Sequence, residues 1–394
     1  MINKIIYTVC FVLFVSINSN AQNNIDNVLL EIEKNNKSIK ANQEYAKAKN
    51  LQYKTGITLQ NPSVEYEYLN GSPANAGNQT DFMVKQSFDF PTAYSKKKQV
   101  AELQIEQTDF QLTTLKRDIL LSAKQTCIEL IYYNKKQVEL EKRLQNAEKL
   151  NSDYQKKLNS GEANVLDANK AKLLLINLQN DMRFNSSQII QLNQKLTELN
   201  GGLSIVFNDT IYPVSANVPE FNSLMDSIES NSPTLDALRQ EEEINQKKVE
   251  LTKAMILPKM EAGYRYQSIL GQQYQGIHLG LTIPLWENKN TIKFQKAQAL
   301  FSEVRVEEHK NQHHSEIQQL YEQYQNLNIT LTEYKQILAT INNTTLLEKA
   351  LKLGEISSIQ YFMEINYFYS SFDNYLQLEK EYYLVIAELY KYQL

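Results

Sequence analysis

Glycine and proline are scarce in this chain, 11 and 8 of 394 residues, so little in it interrupts a helix. Cysteine occurs twice, once inside an apolar N-terminal run (Cys10) and once alone (Cys127). An internal disulfide is therefore not expected in the mature chain, and Cys127 reads as a small core residue on a helix. Neither charge sign dominates: 41 Lys and Arg against 45 Asp and Glu leave −4, which offers nucleic acid no basic footprint. Beyond the N-terminus there is no long hydrophobic run, and the mean hydropathy of −0.47 excludes a bundle of transmembrane helices. Also missing are a metalloprotease HExxH, a Gly-rich phosphate loop and a nucleophile elbow. No catalytic residue, cofactor site or enzyme activity is expected.

What is present begins with a targeting pattern. Lys4 precedes the apolar stretch Ile5 to Ile17, and Ser19-Asn20-Ala21 forms a small-x-small cleavage site before Gln22. Residues 1–21 read as a signal peptide, and the protein as exported.

Two segments then alternate with period two. Leu257 to Trp286 sets Met260, Ala262, Tyr264 and Tyr266 against Glu261, Gly263, Arg265 and Gln267. After a polar turn it sets Ile277, Leu279, Leu281 and Ile283 against His278, Gly280 and Thr282. Residues 61–91 repeat the pattern, with Val64, Tyr66, Tyr68, Phe82, Val84, Phe88 and Phe90 opposite Ser63, Glu65, Glu67, Asp81, Lys85, Ser87 and Asp89. These read as two β-hairpins, 61–91 and 258–284, each with an apolar and a wet face and strands near the ~9–11 residues that cross a bilayer. Glu65, Glu67, Lys85, Arg265 and His278 are the expected pore-facing residues. Tyr66, Tyr68, Tyr264 and Tyr266 suit a belt at the lipid interface or ordinary strand packing.

Between the hairpins the spacing is helical. Thr92 to Ser160 holds neither Pro nor Gly and carries apolar residues at three- and four-residue steps, as in a coiled coil. Helices are also expected over Ile25–Thr58, Asn164–Asn200, Ser223–Met255, Glu287–Leu353 and Ile359–Tyr392, with Gly161 and Gly354 as stops.

The two halves repeat. Pro62 maps to Pro258 and Asn35 to Asn231 at an offset of 196; Pro91 maps to Pro284 and Gly161-Glu162 to Gly354-Glu355 at 193. The expected division is 22–202 for the first repeat, 203–222 for a connector and 223–394 for the second. The equal Pro-to-Gly distances (161 − 91 and 354 − 284) predict that the two long helices match end to end.

In lipid each strand needs a hydrogen-bonded neighbour, and the smallest spanning barrels have about eight strands. Four strands therefore call for several copies. Long helices below such a barrel make a tube that reaches into the compartment beneath.

At this point the chain resembles the TolC family of bacterial outer-membrane efflux proteins, and within it the branch serving metal and drug pumps. The resemblance spans the mature chain. It rests on the repeat, on Thr282-Ile283-Pro284-Leu285-Trp286 followed by NKNTIKFQKAQA, on both Gly-Glu turns, and on the stretch from Leu351 to Tyr392. It implies a mainly α fold with membrane β: long coiled-coil hairpins forming an α-barrel, and a homotrimer with a 12-stranded β-barrel. It implies an outer-membrane conduit with its helices in the periplasm, a periplasmic adaptor (membrane fusion) protein and an inner-membrane pump. Small molecules or metal ions would be the cargo. Type I protein secretion is the alternative on the same fold, and a periplasmic coiled-coil adaptor the alternative on another. The tips Gly161, Glu162, Gly354 and Glu355 would dock the adaptor.

Two departures stand out. Many members of the metal branch begin on a lipid-anchored Cys, whereas the expected mature start here is Gln22. Acidic gate residues in the family stand six and nine positions after the second-turn Gly; here those positions are Gln360 and Met363. Asp167 and the neighbouring Glu364 are the candidate gate acids. His309 and His313, one helical turn apart, suit either a solvated face or half of a metal site.

Overall fold

The computed structural model describes residues 24–213, 217–340 and 343–394; the expected signal peptide lies outside them. The chain divides into two compact units. One takes the residues up to Ser38, Lys116–Ile228 and Glu316–Leu394; the other takes Ile39–Leu115 and Glu229–Ser315. Each unit draws on both sequence repeats, because the long helices run from one unit into the other.

The second unit holds the strands β1 (Ser63–Leu69), β2 (Gln79–Phe88), β3 (Lys259–Ile269) and β4 (Gln272–Thr282). They form one antiparallel sheet in the order β1-β2-β3-β4. The two hairpins, far apart in sequence, join through β2 and β3, where Phe82 pairs with Tyr266 and Val84 with Tyr264. Strand β4 begins earlier than the alternation alone suggests. Leu270 and Gly271, both at positive φ (51° and 80°), make a two-residue turn, so the polar Gln272, Gln273 and Gln275 belong to the strand. Strand β2 ends at Phe88, so Asp89 is not on the wet face. It is buried at the junction with the next helix, 2.8 Å from the Lys97 ammonium, and its backbone N–H donates to the Tyr94 hydroxyl.

The described residues also form the α-helices α1 (Asn24–Asn35), α2 (Lys37–Tyr53), α3 (Pro91–Asn159), α4 (Val165–Leu199), α5 (Phe221–Ser230), α6 (Pro233–Met255), α7 (Thr291–Thr340), α8 (Asn343–Leu353) and α9 (Ser358–Leu389). Helix α3 runs 69 residues without a break, as the missing Gly and Pro predict.

Two of the expected helices prove to be broken. Ile25–Thr58 splits at Asn36, whose side-chain amide donates to the Leu199 carbonyl at 2.7 Å. Ser223–Met255 splits before Pro233, which cannot supply a mid-helix N–H; Ser232 caps α6 by accepting the Leu235 N–H. Asn36 and Ser232 stand at the same repeat position (232 − 36 = 196), so the breaks belong to the repeat.

The third departure corrects the end-to-end match. Pro91 opens α3, but its counterpart Pro284 is followed by turns, and Asn290 takes a left-handed φ of 69° before α7 opens at Thr291. Asparagine tolerates that conformation where most residues do not. Helix α7 is described as far as Thr340 and α8 from Asn343.

The first unit carries the apolar core. One cluster joins α1, α3, α4 and the connector through Ile32, Ile128, Leu130, Ile131, Leu196 and Phe207, all at most 1% exposed. A second joins α5, α7 and α9 around Leu224, Leu331 and Leu389. A third, around Tyr154, Ala171, Tyr361 and Ile365, lies toward the helix stops. Cys127 is fully buried in the first cluster, and burial pushes its thiol up to about 12, the state of an inert core residue.

Candidate channel wall and helical tips

The register decides which strand residues share a face. Val64, Val84, Tyr264 and Ile277 lie in one row across the four strands, with Tyr66, Phe82 and Tyr266 in the next. This apolar face is open: Ile277 is 84% and Leu279 77% exposed. Tyr66, Tyr68 and Tyr264 are exposed on it as well, and Tyr266 is half-buried. An apolar sheet face bare of helices needs a cover of its own kind.

The opposite face gathers all five expected pore residues. Glu65 pairs with Lys85 at 2.8 Å, diagonally across β1 and β2. Arg265 reaches the buried Asp81 at 3.4 Å, and Gln79 donates to the other Asp81 oxygen at 2.6 Å. Glu67 stands opposite Asp81, and His278 lies on β4. Glu261, which accepts from the Ser87 hydroxyl at 3.0 Å, joins them. On β3 and β4 three bulky polar residues face a glycine: Arg265 opposite Gly276, Glu261 opposite Gly280, His278 opposite Gly263. A Cβ on Gly280 would stand 3.3 Å from the Glu261 carboxylate and 3.6 Å from His278 Nε2. The gap thus holds two polar side chains flat against the wall.

At the other end of the long helices the two stops share one geometry. Gly161 and Gly354 have φ of 77° and 76°. Glu162 N–H donates to the Lys157 carbonyl and Glu355 N–H to the Ala350 carbonyl, with Gly161 to Leu158 and Gly354 to Leu351 inside them. These are Schellman closures, which need a residue without Cβ strain at the glycine. Both glycines and both glutamates are exposed. Around them, Val165, Leu166, Leu353, Ile359 and Met363 expose large apolar side chains.

Asp167 and Gln360 occupy the same place in their repeats, the third residue of a capped helix. Asn164 accepts the Asp167 N–H and donates to its carboxylate at 3.0 Å, and Lys170 lies 3.9 Å away. Ser357 and Gln360 form a capping box. Within the chain, then, Asp167 is bound to its own helix end, whereas Glu364 is exposed.

His309 and His313 are half-buried rather than on a solvated face, with ring centroids 5.5 Å apart. Among the described residues, no group of three His, Cys, Asp or Glu stands close enough to hold a metal.

The sequence reading passed over Arg143. It is 3% exposed, with Glu139 at 3.1 Å on its own helix α3 and Asp373 at 2.9 Å on α9. Its guanidinium lies 4.3 Å from the Tyr369 ring centroid. Burial pushes the Tyr369 phenol up to about 12, against the opposing pull of Arg143. Below it on the same helices, Lys135 pairs with the buried Glu379, which also accepts from the Tyr375 hydroxyl. The available signal was an arginine at an apolar coiled-coil position.

No family model and no curated protein matches the sequence. Solved structures do match. CusC, described through conformational changes accompanying folding and transmembrane channel formation, is similar at TM-score 0.79 and 15% identity, over 96% of this chain and 95% of its own. The outer-membrane channel OprN is similar at TM-score 0.80 and 11% identity, over 93% and 89%. The Campylobacter jejuni CmeC outer membrane channel is similar at 0.72 and 15%, over 96% and 90%. Over nearly its whole length, this chain has the fold of the outer-membrane channel proteins.

Proposed function

We propose that this protein is a TolC-family outer-membrane channel: a passive trimeric conduit through which a tripartite efflux system expels small molecules or metal ions. The observation that carries this reading is the four-stranded sheet, apolar and bare on one face, charged on the other, with β1 and β4 as free edges. Such a sheet is stable in lipid only when its edges are paired, and three copies supply 12 strands around a polar lumen. The repeats 22–202 and 223–394, flanking the connector 203–222, each contribute two strands and one helical hairpin to the assembly. The exposed apolar side chains beside Gly161 and Gly354 give a periplasmic adaptor its seat, and an inner-membrane pump supplies the energy.

The test is single-channel conductance of the purified protein in planar bilayers, with native mass on the same sample. A trimer with small, unsteady conductance supports a tunnel held shut at its tips. A monomer that never inserts overturns the reading. Asp167 and Glu364 are the proposed gate acids, Asp167 acting once its cap contacts are released. If D167N and E364Q both leave conductance at the wild-type level, that role is lost.

A further inference from the structure

Near the helix stops of the first unit lies a cavity of about 380 Å3, between the C-terminal part of α3, helix α8 and the start of α9. Its size falls in the range of small-molecule sites, roughly 300–1,000 Å3. The floor is apolar: Leu150 and Tyr154 from α3, Leu351 from α8, Tyr361 from α9. Tyr154 and Tyr361 are buried, and the Tyr154 hydroxyl is already used, donating to Ser358 at 2.6 Å.

The rim is cationic. Lys149, Lys156, Lys157 and Lys352 line it against only Asp153 and Glu348. Among the described residues none of the four lysines has a carboxylate within ion-pair distance; Lys157 lies over the Tyr154 ring at 5.8 Å. Like charges in excess of their counter-charge repel, and an anion placed among them gains from that excess.

From the floor and rim together we infer that this cavity binds an anionic amphiphile, with its carboxylate or sulfonate among the lysines and its apolar body on Leu150, Tyr154, Leu351 and Tyr361. The site draws on both repeats, α3 from the first and α8 and α9 from the second. Helix α8 supplies one wall. An occupant ties α8 to α3. The inference stands on the cavity itself and does not require the chain to conduct.

The test uses the full-length protein in lipid nanodiscs and the fluorescent probe 8-anilinonaphthalene-1-sulfonate, with empty nanodiscs as the blank. Saturable binding at one site per chain is expected, weakened about tenfold in the K149Q/K352Q double variant and weakened likewise by raising salt from about 0.05 to 0.5 M. Hydrogen exchange over 343–353 should slow when the probe is bound. Three results would overturn the proposal: no saturable binding above the blank, affinity indifferent to both salt and lysine removal, or equal competition by the uncharged N-phenyl-1-naphthylamine. The salt titration reads the wild-type protein, so a variant that fails to fold does not spare the idea.

Discussion

Arg143 shows how a single residue can be committed by its surroundings. Its charge is out of water, matched by two carboxylates and laid on an aromatic face. Removing one partner from such a set leaves charge stranded, at a cost of about 3–5 kcal/mol. R143A is therefore expected to lower the unfolding temperature markedly, with D373N less damaging because the arginine keeps Glu139; thermal unfolding of both variants checks the order. Lys124 is the opposite case. Burial holds its ammonium below the usual lysine value, with Asp26 opposing. Because the folded value is depressed, the unfolded chain binds more protons between the two values. Stability then rises with pH through that window, up to about the ordinary lysine value. K124M should raise the unfolding temperature by about 2 °C and flatten this alkaline rise in a pH series. Cys127 was legible as core from its apolar neighbours. Arg143 and Lys124 were not, since a charged residue on a helix ordinarily faces water and only the packed neighbours decide otherwise.

Among the elements, the helix stops carry the clearest expectation. Gly161 and Gly354 sit in left-handed backbone with open space where a Cβ would point. Crowding is therefore absent, and only backbone strain acts, about 1–2 kcal/mol for a non-glycine residue and less for asparagine. G354A should loosen the turn, seen as faster hydrogen exchange in 350–358, while G354N stays close to wild type. The stops, strands and long helices could be read from periodicity, because each depends on neighbours within a few residues. The break at Asn36 could not. Asn36 ends α1 through a carbonyl 163 residues away, at Leu199, and no local pattern announces that bond.

For the whole molecule, the two sheet faces make opposite predictions. Ile277 stands midway along β4 on the apolar face, 84% exposed, and in lipid a charge there costs about 2–4 kcal/mol. I277K should fractionate away from the outer membrane or appear at much reduced level. E67Q, on the wet face, should insert normally and shift only ion selectivity, measured as reversal potential. Equal insertion of I277K would count against lipid as the cover of that face.

The sequence by itself determined the signal-like N-terminus, the repeat, the alternation of the strands and the length of the first long helix. Each is a property of residue spacing, and spacing survives without knowledge of partners. Only the tertiary structure decided that β2 joins β3, that Glu65, Lys85, Arg265 and His278 share one wall, and that a cationic cavity opens beside α8. Those facts depend on contacts between residues 20 to more than 200 positions apart. Such contacts form where apolar burial and strand pairing are satisfied together, and that choice is made by the packed chain as a whole.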